Sequence, residues 1–78
     1  MSGTVARIEG KNSAGLKVAF FTQEHRLGNV LLKLQRDGGM HSESEDGEWR
    51  FVECKEIRRV DFFDHNGMML TPLRAEFI

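Results

Sequence analysis

The chain has 78 residues, of which 40% are apolar and 29% are charged, with six Phe, one Trp and one Pro. This length and composition predict one soluble globular domain, residues 1–78, close to the lower size limit for a core that folds without disulfides or metals. A formal net charge of −1 argues against a dedicated non-specific DNA-binding protein, and the small size disfavours an enzyme with its own substrate domain.

Cysteine content and hydropathy bear on the cellular compartment. The single cysteine, Cys54, excludes an intramolecular disulfide and is typical of a protein from a reducing compartment. The first residues lack the long apolar run of a signal peptide, and no run approaches the ~18 apolar residues of a membrane span. We therefore expect a cytoplasmic protein that does not cross a membrane.

The first half of the chain begins with one ambiguous segment and one clear strand. Residues 1–15 predict either a short strand or a mobile arm, because their apolar residues do not alternate cleanly. Glycine, asparagine and serine cluster at 10–15 and predict a loop. From Leu16 to Thr22 the apolar residues alternate strictly, which predicts a strand with Phe20 and Phe21 on opposite faces.

The segment 24–36 fits two interpretations. One is a helix with Thr22 as its N-cap, ended by the Asp37-Gly38-Gly39 run. The other is a curled strand with Gly28 at a bend or bulge, and we favour it because glycine costs about 1 kcal/mol inside a helix. The helical pattern consists of Leu27, Val30, Leu31 and Leu34, and the strand pattern of Gly28, Val30, Leu32 and Leu34.

Turn signals divide the rest of the chain into short strands. Gly38-Gly39 and Glu45-Asp46-Gly47 are hairpin signals, and His65-Asn66-Gly67 is a strong one because Asn-Gly accepts the positive φ of a type I′ turn. Pro72 begins a predicted tail over 72–78. The predicted strands are 40–44, 48–53, 57–63 and 68–71, with a short break at 54–56.

These elements predict a mainly β fold. The favoured architecture is a small, strongly bent antiparallel barrel of Sm-like or SH3-like type with about 5–6 strands. The alternative is an α+β fold with one helix at about 24–36 packed on an antiparallel sheet.

With the strand interpretation, residues 16–60 resemble the Sm-like barrels of the Sm, LSm and Hfq families. The similar features are three alternating apolar residues, a polar turn near Thr22, a glycine within a curled strand, and the apolar pair Ile57 and Val60. Cys54 and Lys55 stand where Hfq has an RNA-reading Lys-His pair, and neither the amino-terminal helix of Hfq nor the Asp and Met-Asn of Sm proteins is matched. The resemblance implies the barrel but not uridine-type RNA recognition. In size and acidic character the chain is similar to the small Sm-like inhibitors of the termination factor Rho (Rof).

Outward-facing aromatic residues and a group of cations form the candidate binding site. If Val60 and Phe62 face the core, Phe63 faces outward beside Arg59. Aromatic side chains next to arginines suit a protein interface or base stacking, unless loops or the tail cover them. The cations suit phosphate contacts, unless acidic neighbours pair with them in a solvated face. The candidates are Phe21, Trp49, Arg50, Lys55, Arg58, Arg59 and Phe63, with the acidic turn at 43–48 as a second docking face.

No catalytic or metal-binding pattern is present in the sequence. The spacing of His25, His41, His65 and Cys54 matches no zinc motif. Strand alternation places His41 on the face opposite Ser42, so the two do not form part of a nucleophilic triad. We therefore predict no cofactor, no metal site and no enzymatic activity.

Three functional hypotheses remain. The first is a small non-enzymatic regulator or adaptor that acts through protein contacts, as a monomer or homodimer. The second is an RNA- or single-stranded-DNA-binding barrel that uses the same arginines, with a steep salt dependence. The third is a small inhibitor of the phage type with the α+β fold, which again implies a protein partner.

Overall fold

A computed structural model of the chain describes residues 4–43, 46–64 and 72–76. These residues form mainly strands, with one short helical segment between the second and third strands. The elements in chain order are β1 (Thr4–Lys11), β2 (Lys17–Gln23), a 3₁₀ turn (Glu24–Arg26), α1 (Leu27–Asp37), β3 (Gly39–Glu43), β4 (Trp49–Glu53), β5 (Glu56–Asp64) and β6 (Pro72–Glu76).

The strands form two separate antiparallel sheets. The larger has four strands in the order β2-β1-β5-β6, and the smaller is the β3–β4 hairpin. The mainly β prediction is confirmed, but the described strands do not close into a barrel, so the strongly bent barrel is not confirmed.

Of the two predictions for residues 1–15, the strand is observed at Thr4–Lys11, which is a central strand of the larger sheet. β1 pairs with β2 on one side and with β5 on the other. Ala6 and Ile8 lie on the core face of β1 and are fully buried. Pairing along both edges and the burial of these two side chains explain why β1 forms although its sequence pattern is irregular.

The strand interpretation of 24–36 is wrong, because this segment forms the 3₁₀ turn and α1. One apolar stripe of α1 packs on the core: Leu34 is buried, and Val30 and Leu31 are half-buried against the same cluster. Burial of this stripe outweighs the cost of Gly28 in the helix. Thr22 does not cap α1, since the first helical turns carry no side-chain cap hydrogen bond.

The helix ends where the sequence predicts. Gly38 follows α1 with a φ of 72°, and its N–H donates to the carbonyl of Leu34 over 2.9 Å. A left-handed residue at this position favours glycine because a Cβ is disfavoured there. The chain therefore turns directly from α1 into β3.

The helix covers one face of the larger sheet and so defines the core. The residues of this core come from β1, β2, α1, β5 and the link before β5. The buried set is Ala6, Ile8, Phe20, Leu34, Cys54, Val60 and Phe62.

The predicted tail at 72–78 is wrong for its first part, because Pro72–Glu76 forms β6 and pairs with β5. Pro72 lies at the start of this strand, where its missing N–H is tolerated. The predicted turn at 65–67 and the predicted strand at 68–71 lie outside the described residues.

The hairpin is attached to the rest of the molecule at its base. The N–H of Cys54 donates to the carbonyl of Gly38, and the N–H of Lys55 donates to the carbonyl of Lys11, each over 2.8 Å. Met40 and Val52 pack against the core from the inner face of the hairpin.

Candidate functional site

The outer face of the β3–β4 hairpin carries two exposed aromatic rings. The strand register pairs Glu43 with Trp49 and His41 with Phe51, opposite the face of Met40 that meets the core. Trp49 is 67% exposed and Phe51 is 50% exposed. We define the hairpin face as His41, Glu43, Trp49, Phe51 and Glu53.

Local contacts hold the Phe51 ring in place although it is exposed. The rings of His41 and Phe51 meet edge to face, with centroids 5.4 Å apart and an interplanar angle of 72°. The Phe51 ring also lies over Gly39. A Cβ on Gly39 would be 2.9 Å from the Cζ atom of Phe51 and would collide with the backbone carbonyl of Val52. The φ of Gly39 is +153°. The hairpin face is thus partly preorganised before any partner binds.

Carboxylates are frequent in the hairpin that carries the exposed rings. Glu43 lies opposite Trp49, and Asp46 and Glu48 accept hydrogen bonds from Arg50 over 2.8 and 3.0 Å. Residues 39–53 hold five acidic residues and one arginine, a formal charge of −4. The remaining residues hold seven acidic and ten basic ones, a formal charge of +3. Negative charge is therefore concentrated in the hairpin that presents the aromatic rings.

The other predicted aromatic residues lie on the larger sheet, on the face that α1 does not cover. Phe21 is 61% exposed there, as predicted. Phe63 lies on the same face, opposite Val5 in the register, but it is only 9% exposed. Phe63 therefore faces away from α1, as predicted, but it is not the exposed aromatic side chain that a binding surface needs; its register neighbours are Val5 of β1 and Pro72 of β6.

An ion-pair network occupies the middle of this sheet face. Asp61 is only 6% exposed and accepts two hydrogen bonds from Arg59, over 2.7 and 3.1 Å. Arg7 lies 3.9 Å from the same carboxylate and 3.3 Å from Glu9. These cross-strand charges neutralise each other and stabilise the β1–β5 pairing.

The remaining predicted cations do not join the hairpin face. Arg58 opposes no residue of β1, because the register shifts there, and its guanidinium pairs with Glu56 over 3.4 Å. Lys55 follows Cys54 in the link between β4 and β5. The structure therefore divides the predicted set between the hairpin (Trp49, Arg50), the open sheet face (Phe21, Arg59, Phe63) and the start of β5 (Lys55, Arg58).

A cleft of about 360 Å³ lies between the end of α1 and the start of β5. Leu34, Gln35 and Ile57 are among its lining residues, together with Cys54. Burial raises the pKa of the Cys54 thiol, partly offset by hydrogen bonds to backbone groups of Glu56 and Lys11. A thiol with a raised pKa is a poor nucleophile at neutral pH, so the geometry favours a packing role for Cys54.

Within 4–43, 46–64 and 72–76, no group of three or more His, Cys, Asp or Glu side chains is placed to hold a metal ion. No helix in that part of the chain is both long and apolar enough to cross a membrane.

Phe51 and His41 are the surface residues that the sequence-based candidate set omitted. The alternation in 48–53 already places Phe51 on the face of Trp49, so the sequence alone was sufficient to add Phe51 to the candidate residues. His41 joins them only through the β3–β4 register, which the sequence does not specify beyond the turn at 45–47.

Comparison of the chain with protein-family models, curated proteins and solved structures gave no match.

Proposed function

We propose that this protein is a non-enzymatic interaction module that binds a basic segment of a partner protein through the hairpin face. The observation that carries the proposal is the exposure of Trp49 and Phe51 side by side on one hairpin face. Tryptophan and phenylalanine cost free energy when exposed to water, and they dominate the energetics of protein interfaces when a partner covers them.

The charge around the rings supports a basic partner segment. A lysine or arginine side chain over the Trp49 ring gains a cation–π interaction of about 0.5–1 kcal/mol at an exposed site. Glu43, opposite Trp49, adds a nearby carboxylate. The charge of −4 on residues 39–53 also steers a basic segment towards this surface.

The same structure gives less support to nucleic-acid binding. Arg50, Arg58 and Arg59 each form an ion pair with a carboxylate of their own strand or turn. A phosphate group would have to displace those carboxylates, which costs the existing pairs. RNA or single-stranded-DNA binding stays an alternative prediction, and the Sm-like resemblance contributes nothing to the choice between the two.

Regulatory or inhibitory action, including that of the phage-type inhibitors, is compatible with such a module. Both act by occupying a partner surface and need no catalytic group. The helix-bearing fold agrees with the α+β architecture expected for that hypothesis.

Trp49 is the only tryptophan of the chain, so its fluorescence reports directly on the proposed site. We expect a synthetic arginine-serine repeat peptide to change the Trp49 emission saturably, and a glutamate-serine repeat peptide to leave it unchanged. With a fluorescein-labelled peptide, anisotropy should show that Trp49→Ala weakens binding by roughly two- to fivefold. Glu43→Lys should weaken it as well, because the substitution reverses the charge beside the ring.

Phe21→Ala is the matched control, because Phe21 is equally exposed but lies on the larger sheet. It should bind the peptide as the wild type does. Equal weakening by Phe21→Ala and Trp49→Ala would contradict the assignment to the hairpin. Binding of mixed single-stranded RNA without binding of the arginine peptide would replace the proposal with the nucleic-acid alternative.

A further inference from the structure

Strand β2 is an edge of the larger sheet. Among the described strands it pairs only with β1, and its last residue, Gln23, is also the N-cap of the 3₁₀ turn. An edge strand leaves every second N–H and C=O without a sheet partner.

The turn before β2 shows which residues of β2 direct their backbone groups towards β1 and which direct them outward. The N–H of Asn12 donates to the carbonyl of Leu16, which places this pair at a hydrogen-bonded position of the ladder. Since such positions alternate, Val18, Phe20 and Thr22 bond to β1. The outward-directed backbone groups therefore belong to Lys17, Ala19 and Phe21, together with the N–H of Gln23, whose carbonyl begins the 3₁₀ turn.

The sequence of this edge lacks the usual protection against pairing. Lys17 is its only charged residue and stands at one end, and β2 contains no proline. Natural edge strands commonly use charges, proline or bulges to prevent association. The seven paired positions of β2 also show no register shift against β1.

Two copies of β2 are complementary in the antiparallel orientation. With the two-fold axis at Phe20, Lys17 faces Gln23 of the second copy and Ala19 faces Phe21 of the second copy. Every outward-directed residue then meets another outward-directed residue, so both groups of Ala19 and Phe21 find partners, and the Gln23 N–H meets the carbonyl of Lys17 of the second copy. The two lysines lie at opposite ends of the interface, and each exposed Phe21 ring packs across a small alanine.

We propose that the protein forms a homodimer through antiparallel pairing of β2 with β2 of a second copy. One sheet then continues through both molecules, and the hairpin faces stay free at separate positions. This proposal uses a different surface from the hairpin and does not depend on the proposed function.

Sedimentation velocity and amide hydrogen exchange of the full chain, each over a range of protein concentrations, test the pairing. We expect a monomer–dimer equilibrium, and protection of the Ala19 and Phe21 amides that increases with concentration. Ala19→Pro removes an outward donor without removing a bond to β1, and Phe21→Lys adds charge at the edge. Each should raise the dimer dissociation constant roughly tenfold or more.

Leu32→Lys is the matched control, because Leu32 is an equally exposed apolar residue on α1, and it should leave the dimer unchanged. Circular dichroism of each variant checks that it is folded, and Phe21→Lys alone suffices if Ala19→Pro does not fold. A monomer at every concentration, a dimer with unprotected Ala19 and Phe21 amides, or equal disruption by Leu32→Lys would each overturn the proposal.

Discussion

Glu53 fastens the β1–β2 loop to the end of the hairpin. Its carboxylate accepts hydrogen bonds from the Ser13 N–H at 3.0 Å and from the Ser13 hydroxyl at 2.7 Å. Both hydrogen bonds lower the pKa of Glu53 below its ordinary value of 4.5, and the bond from the Ser13 backbone has the larger effect. Because the charged form is the bonded form, the contact is present above that value and is lost as the pH falls through the lowered pKa.

Replacing Ser13 with alanine should raise the pKa of Glu53 towards its ordinary value, since the hydroxyl donor is lost and the backbone donor remains. Carbon-detected NMR titration of the Glu53 carboxyl group measures this shift. Ser42→Ala is the control, because Ser42 lies on the opposite face of the hairpin and should leave the Glu53 titration unchanged. An identical Glu53 titration curve in Ser13→Ala and the wild type would contradict the role of this contact.

Among the secondary-structure elements, α1 decides the fold class. Leu34 is 1% exposed and belongs to the core, whereas Leu32, two residues earlier, is 65% exposed. Both observations follow from helical geometry, in which residues two apart point in different directions. Two leucines of one helix therefore provide a matched pair of probes.

Leu34→Ala should destabilise the protein by about 2–5 kcal/mol, because it removes buried methyl groups and leaves a cavity under the helix. Leu32→Ala should change the stability by less than about 0.5 kcal/mol, as is usual for surface substitutions. Urea unfolding followed by circular dichroism measures both. Equal losses in the two variants would show that the segment does not pack as a helix on the sheet.

The same pair of residues shows why the sequence did not distinguish helix from strand here. Leu27, Val30, Leu31 and Leu34 satisfy a helical stripe, and every second residue from Gly28 to Leu34 satisfies a strand. Local propensity favoured the strand because of Gly28. Packing against the larger sheet decided the outcome, since the sheet offers an apolar face that matches a helical stripe.

At the scale of the whole molecule, the two sheets differ in how they are stabilised. β1 and β5 are interior strands with fully buried Ile8 and Val60. The hairpin contributes Met40 and Val52 to the edge of the core, and its other side faces water. The hairpin is therefore a separate, less protected unit attached at its base.

Native-state hydrogen exchange should reveal this difference. We expect the amides of Ile8 and Val60 to exchange only through global unfolding, and the hairpin amide of Met40 to exchange faster through local opening. Measuring exchange rates at increasing, sub-denaturing concentrations of urea separates the two processes. Equal free energies of exchange for all three amides would indicate a single cooperative unit.

The sequence by itself determined the elements that local chemistry controls. Alternation located β2 to within a residue or two, and the turn residues at 45–47 defined the β3–β4 hairpin together with the shared face of Trp49 and Phe51. These features depend on a period of two residues and on backbone conformations that glycine favours.

Only the tertiary structure decided the features that depend on distant partners. β1 became a central strand because β2 and β5 pair with it from opposite sides, and the burial of Phe63 on the open face does not follow from strand alternation. The segment 27–37 became a helix because the core face of the larger sheet accepts its apolar stripe. Strand order and packing bring together residues far apart in the chain, and no local pattern specifies those contacts.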